Sequence, residues 1–76
     1  MTIRKVMKTL RTERNAEFHN YNVSICRFNE YSDTFLQRDY LQASSSGGGY
    51  ELSAYKARKI INDMLSSPLP CVLKGV

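Results

Sequence analysis

The side chains that catalysis or metal binding would need are few and scattered in this sequence. It has one histidine, His19, with Glu17 two residues before it, and two cysteines, Cys26 and Cys71. Acid–base catalysis requires groups within hydrogen-bonding reach of each other, and a metal site requires several ligands to converge. No spacing here predicts that convergence. We therefore expect no catalytic residue, no metal and no cofactor, and we expect a surface histidine and two free, buried thiols.

Basic residues are the stronger candidates for function because they are concentrated at both ends of the chain. The formal net charge of +4 divides into +4 for residues 1–14, −3 for residues 15–55 and +3 for residues 56–76. The termini of small domains commonly lie close together, and the two basic ends would then form one positive face for an acidic partner. A solvated surface with uneven charge is the alternative interpretation. The N-terminal candidates are Lys5, Lys8, Arg11 and Arg14.

A second set of candidates lies near the C-terminus, in a segment with helical periodicity. With about 100° between successive helical residues, Lys56 and Lys59 share one flank of the outward face. Arg58 lies on the other flank, with Tyr55 between them. Cations in the first turns oppose the helix dipole, at about 0.3 to 1 kcal/mol each, so we interpret these four residues as a contact cluster. The alternatives are a tyrosine folded back on the sheet and cations that only maintain solubility.

The helix that presents this cluster is the strongest structural prediction. Ser53 is a favourable N-cap, and Pro68 and Pro70 prevent the helix from continuing, so we predict a helix from roughly Ala54 to Ser66. Its apolar residues have helical spacing and form one stripe, which consists of Ala57, Ile60, Ile61, Met64 and Leu65. The stripe predicts that one face of the helix packs on the rest of the domain.

The N-terminal segment is ambiguous between a helix and a strand. Ile3, Val6, Met7 and Leu10 have the spacing of a helical stripe. The threonines and β-branched residues among them, and the short length, disfavour an isolated helix. We predict a helix for residues 3–11 and keep a strand as the alternative.

The central part of the chain has the pattern of β-structure. Alternating apolar and polar residues predict one strand over residues 18–28. Residues 29–33 have turn chemistry, and residues 34–42 resume an apolar pattern that predicts the second strand of a hairpin. The alternative for the second strand is a short helix over residues 33–43.

The remaining segments complete the predicted fold. The serine- and glycine-rich segment Ala43–Gly49 predicts a mobile surface loop, and its glycines lack the Lys-Ser/Thr sequence of a phosphate-binding loop. Residues 71–76 predict either a short edge strand or a segment packed across the helix. The whole predicts a single α+β domain over residues 1–76, in which a small antiparallel sheet of two to three strands packs against the amphipathic C-terminal helix.

With a helical first segment, the order helix, strands, helix resembles that of a double-stranded-RNA-binding domain, and Lys56-Ala57-Arg58-Lys59 would open the last helix. The serine- and glycine-rich segment stands where that family has its third strand. The family's Gly-Pro-x-His loop has no counterpart in this sequence. We therefore do not carry over that family's RNA-binding function.

Two functional hypotheses follow. The first is a non-enzymatic protein-binding module, such as a small inhibitor or accessory factor of the kind that phages and mobile elements encode, acting on an acidic or nucleic-acid-handling protein. The second is direct binding of RNA or DNA through the same cations. The acidic middle would repel a phosphate backbone, which favours the first hypothesis.

No apolar stretch approaches the roughly 20 residues that cross a bilayer, so we expect a cytoplasmic protein with no membrane partner. We also expect no small-molecule substrate.

Overall fold

The computed structural model describes residues 1–40 and 49–75, which form two helices and five strands. In chain order these are α1 Ile3–Thr12, β1 Glu17–His19, β2 Val23–Asn29, β3 Thr34–Asp39, β4 Tyr50–Ser53, α2 Ala54–Ser66 and β5 Val72–Lys74. The strands form one antiparallel sheet in the order β4-β3-β2-β1-β5. The α+β class is confirmed, whereas the prediction of two to three strands is wrong, because the sheet has five.

Helix α2 has the bounds that its sequence predicts. The Ser53 hydroxyl accepts a hydrogen bond from the backbone N–H of Lys56 at 3.2 Å, which caps the first turn. At the other end, the backbone N–H of Ser67 donates to the Met64 carbonyl at 3.1 Å, and Pro68 follows. The stripe is confirmed as the packed face, in which Ala57, Ile61 and Met64 are buried and Ile60 and Leu65 are partly buried.

The N-terminal segment is a helix, so the strand alternative is wrong. The Thr2 hydroxyl caps it by accepting a hydrogen bond from the backbone N–H of Lys5 at 3.2 Å. Val6, Met7 and Leu10 are buried against the sheet. A short helix of this kind is marginal alone, and burial of its apolar face supplies the stability that its intrinsic propensity lacks.

The prediction of one continuous strand over residues 18–28 is wrong, because a turn divides it into β1 and β2. The side-chain Oδ1 of Asn20 accepts hydrogen bonds from the backbone N–H groups of Asn22, at 3.1 Å, and Val23, at 3.0 Å. Tyr21 between them adopts a left-handed conformation with φ 71°. The Asn20 side chain thus takes the place of a backbone carbonyl as the acceptor of these bonds, and the chain turns back on itself.

The predicted turn at residues 29–33 is confirmed, and the segment that follows it is a strand over Thr34–Asp39 rather than a helix. Strand β4 was not predicted; it pairs with β3 and places Leu52 opposite Phe35. Gly49 precedes β4 with φ 140°, a conformation that residues with a Cβ atom rarely adopt, and a Cβ atom there would lie 3.1 Å from the Gln37 carbonyl oxygen. The rest of the predicted Ala43–Gly49 loop lies outside the described residues.

Strand β5 lies at the opposite edge of the sheet, antiparallel to β1, so the edge-strand interpretation of residues 71–76 is confirmed for its described part. Both helices pack on one face of the sheet and contact each other. None of the helices in residues 1–40 and 49–75 is long and apolar enough to cross a membrane. The buried apolar core comprises Val6, Met7, Leu10, Ala16, Phe18, Ile25, Phe35, Leu52, Ala57, Ile61 and Met64.

Candidate functional site

The last turn of α1 and the first turn of α2 lie at the same end of the sheet. Ser53, the residue before α2, is paired with Thr34 at the start of β3. Arg11, in the last turn of α1, has its Nη2 atom 3.5 Å from Oδ1 of Asp33, the residue before Thr34. The fold therefore brings the end of the first basic segment, residues 1–14, and the start of the second basic segment, residues 56–76, to one end of the molecule.

A groove of about 800 Å³ opens at this end, and we call it the arginine groove. Its basic side chains come from the end of α1, the segment that follows it and β2, and its aromatic and acidic side chains come from the β2–β3 hairpin and β4. The lining residues that matter below are Arg11, Arg14, Arg27, Tyr31, Glu30 and Glu51.

Arg11 joins α1 to the β2–β3 hairpin. Its guanidinium carbon lies 5.4 Å from the ring centroids of both Phe28 and Phe35. The ion pair with Asp33 is largely exposed and contributes little by itself. The combination of ring contacts and ion pair fixes the position of this guanidinium at the rim of the groove.

The turn of that hairpin holds Tyr31 away from the protein. The Asn29 side chain accepts a hydrogen bond from the backbone N–H of Tyr31 at 3.0 Å, and the hydroxyls of Ser32 and Thr34 are 2.7 Å apart. The Tyr31 side chain is 95% exposed. The sequence predicts the turn but not the role of this tyrosine, for which an aromatic residue in a polar turn is the available signal.

Arg27 lies at an irregularity in β2, where the pairing with β3 shifts register between Cys26 and Asn29. Its φ of 54° is a left-handed conformation that costs a non-glycine residue about 1 kcal/mol or more. The irregularity places Arg27 in the arginine groove. No pattern in the sequence marks this position, because the register depends on how two strands pair.

A smaller pocket of about 200 Å³ adjoins the groove and shares Arg14 and Arg27 with it. We call it the arginine pocket. Arg38 also lines it, and its Nη2 atom donates a hydrogen bond to Cys26 Sγ at 3.4 Å. The Glu17 carboxylate is the acidic group in the lining.

The structure separates the predicted N-terminal candidates into two pairs. Arg11 and Arg14 line the arginine groove. Lys5 and Lys8 line a different groove of about 480 Å³, between α1 and β5, where Glu13 is also present. The four residues therefore line two grooves rather than one.

The C-terminal candidates lie on the outward face of α2, as predicted. Tyr55 is 77% exposed, so the alternative in which it folds back on the sheet is wrong. Lys56, Arg58 and Lys59 are exposed as well. Together α1 and α2 contain seven basic residues and one acidic residue, and the rest of the chain contains four basic and six acidic residues. The positive charge is thus concentrated in the helical layer.

The prediction of a surface histidine is wrong, because His19 is only 1% exposed. It lies on the sheet face opposite the helices, where the Tyr40 ring stacks on it at 4.2 Å and the Tyr21 ring meets it edge-on at 5.1 Å. Burial lowers the pKa of His19; the Glu17 carboxylate, 3.6 Å from Nε2, opposes this effect and the Lys74 charge adds to it. Neither ring nitrogen has a hydrogen-bond partner in the described part of the chain.

The cysteines are both free, as predicted, although only Cys26 is fully buried. Cys71 is half-buried, its thiol donates to the Met64 carbonyl at 3.3 Å, and burial raises its pKa. Among residues 1–40 and 49–75, no group of three or more histidine, cysteine or acidic side chains is placed to hold a metal ion.

No protein-family model, curated protein or solved structure matches this chain. The resemblance in element order to a double-stranded-RNA-binding domain therefore gains no support from these comparisons. We therefore infer its function from the geometry and charge of the site.

Proposed function

We propose that this protein is a non-enzymatic binding protein whose arginine groove docks on an acidic surface of a protein partner. It would act as an inhibitor or accessory factor, of the type that phages and mobile elements encode. The observation that carries the proposal is the convergence of Arg11, Arg14 and Arg27 beside an exposed Tyr31. Arginine and tyrosine are the side chains enriched, with tryptophan, at the energetic centres of protein interfaces.

Pre-organisation supports this proposal. Arg11 is held by two rings and Asp33, and Tyr31 stands on a turn with its own hydrogen bonds. An arginine that is already ordered loses little conformational entropy when a partner binds, and the ordered turn limits the backbone entropy that Tyr31 would lose. A fully exposed tyrosine in such a turn has the geometry of an anchor that inserts into a pocket of the partner.

The acidic residues of the groove favour a protein over a nucleic acid as the partner. Glu30 and Glu51 line the same groove as the arginines, and Asp33 pairs with Arg11 at its rim. A phosphate backbone in the groove would meet these carboxylates, and their repulsion would oppose binding. A protein surface can place its own basic or amide groups against them while its acidic groups pair with the arginines.

Direct nucleic-acid binding is the second candidate, and the positive helical layer is the observation that favours it. Lys56, Arg58 and Lys59 occupy the exposed side of α2, where a phosphate backbone would avoid the acids of the groove. The two candidates therefore use different surfaces. Substitutions in the groove and on α2 separate them.

The experiment selects ligands on the immobilised wild-type protein from a random-peptide display library and from a random nucleic-acid pool. We expect the peptide library to yield acidic sequences. Arg14→Glu and Tyr31→Ala should each weaken the selected peptides by about 2 kcal/mol, the scale of an interface hot spot. The matched controls Arg4→Glu and Tyr50→Ala change exposed residues outside the groove and should leave binding unchanged.

Enrichment from the nucleic-acid pool alone, with binding lost in a Lys56→Ala, Arg58→Ala, Lys59→Ala variant, would instead support the second candidate. Enrichment from neither pool would reject both. Equal loss of peptide binding in Arg14→Glu and in its control Arg4→Glu would show that general charge, rather than the groove, causes the binding.

A further inference from the structure

We propose that the arginine pocket binds a single phosphate dianion, either inorganic phosphate or the phosphoryl group of a monoester. Three arginines, Arg14, Arg27 and Arg38, line a volume of about 200 Å³ together with one acidic residue, Glu17. The formal charge of this lining is positive by two. A phosphate monoester carries about −1.5 to −2 at pH 7, which matches that charge.

Arg38 has hydrogen-bonding capacity that the protein leaves unused. Its Nη2 atom donates to the Cys26 sulfur at 3.4 Å, and a thiol is a weak acceptor. Its Nε atom has no hydrogen-bond partner within the described residues, but it is shielded from solvent, so a ligand in the pocket would be bound by the Nη groups. A phosphate oxygen is the type of acceptor that a guanidinium binds best.

The backbone at Arg27 is the second observation. The left-handed conformation there would suit glycine or asparagine, yet the position carries an arginine whose side chain lines the pocket. Backbone strain of this kind is concentrated at functional sites, where the side chain has a role that outweighs its cost. The charge that this residue adds to the pocket is such a role.

A carboxylate ligand fits the pocket less well than phosphate does. One guanidinium is enough to bind a planar carboxylate in a bidentate manner, and a monoanion would leave one positive charge unbalanced. A tetrahedral dianion can accept hydrogen bonds from several guanidinium groups at once. This inference goes beyond the proposed function, because it assigns a small anion to the pocket; Arg14 and Arg27 also line the groove, so phosphate would compete with an acidic protein surface for these two side chains.

The test is a titration of the isotope-labelled protein with inorganic phosphate at constant ionic strength, followed by the amide chemical shifts in two-dimensional NMR spectra. We expect saturable shifts at residues 14–17, 26, 27 and 38, and no saturation with acetate. A parallel titration with O-phosphoserine distinguishes the sources. Comparable affinity supports a monoester ligand, and binding of inorganic phosphate alone supports the free ion.

Two variants test the residues. Arg38→Gln removes a charge that lines the pocket but not the groove, and we expect phosphate to bind about tenfold more weakly. Arg27→Gly should weaken phosphate binding to a similar degree while the thermal midpoint stays the same or rises, because glycine relieves the strained backbone. If Arg27 had only a structural role, Arg27→Gly would not weaken phosphate binding while the thermal midpoint stayed the same or rose.

The Tyr31→Ala variant distinguishes a failure of the phosphate proposal from a failure of the proposed function. Tyr31 lines the groove and not the pocket, so its substitution should weaken a protein ligand and leave phosphate binding unchanged. The absence of saturable shifts with phosphate, or unchanged phosphate affinity in both arginine variants, would overturn the proposal. Either result would leave the docking of a protein in the groove unaffected.

Discussion

His19 is a titratable side chain enclosed on the sheet face that the helices leave uncovered. Its ring packs against Tyr40 and Tyr21, which also contact each other, and neither nitrogen has a hydrogen-bond partner in residues 1–40 and 49–75. A neutral imidazole tolerates that environment better than a charged one does, since burial removes the solvation of the charged form. The Glu17 carboxylate reduces this preference without reversing it.

The protein should therefore lose stability on mild acidification. The pKa of His19 is lower in the folded state than the ordinary histidine value of about 6.5, so the unfolded chain binds more protons at pH values between the two. Stability is fully present above pH 6.5 and falls as the pH decreases towards the folded pKa. Urea unfolding at pH 7.5, 6.5 and 5.5 measures this loss of stability, and the His19→Gln variant is the comparison. An identical pH dependence in the variant would contradict this assignment.

The β2–β3 hairpin is the element on which the arginine groove depends. Arg11 connects it to α1 through Phe28, Phe35 and Asp33, so one side chain couples two elements that are distant in sequence. The cation–π contacts and the exposed ion pair are each of modest strength. Their joint effect is on the position of the turn that carries Tyr31.

Removal of this connection should destabilise the protein slightly and loosen the hairpin. We expect Arg11→Ala to lower the free energy of unfolding by about 1 kcal/mol, from the sum of cation–π and ion-pair terms. Asp33→Asn should cost less, because it removes only the ion pair and asparagine tolerates the left-handed φ of 52° at this position. Chemical denaturation measures both variants. Arg4→Ala, which removes an exposed cation from the first turn of α1, is the control and should change stability by less than about 0.5 kcal/mol.

At the scale of the whole molecule, the two helices carry most of the positive charge and the strands and turns carry an excess of acids. Charges on an exposed helical face attract an oppositely charged partner before contact, and salt screens that attraction over about 10 Å at 0.1 M. The cations of α2 are placed to act in this way on a ligand that docks in the groove at the same end.

The association rate of an acidic ligand selected on the groove should consequently depend on α2. The Lys56→Ala, Arg58→Ala, Lys59→Ala variant should associate several-fold more slowly at low salt and show a weaker dependence on salt, with a dissociation rate close to that of the wild type. Stopped-flow measurements at two ionic strengths provide the test. A change confined to the dissociation rate would instead show that these cations lie inside the interface.

Local features of the sequence determined the parts of the fold that rest on near neighbours. The Ser53 cap, the apolar stripe and the two prolines are sufficient for α2, because capping and periodicity involve residues only a few positions apart. The same periodicity places Tyr55 and its neighbouring cations outward. The turn at residues 29–33 followed from its composition for the same reason.

Tertiary structure decided what depends on pairing between distant segments. The strands β4 and β5 are short and are stabilised by pairing with β3 and β1, so their own residues give only a weak prediction of strand structure. The burial of His19 follows from Tyr40, the residue after β3, and the position of Arg27 follows from a register shift. The arginine groove combines side chains from α1, the segment that follows it, β2, the hairpin and β4. Periodicity indicates which way a residue faces, but only the packing of strands and helices places residues from separate segments around one cavity.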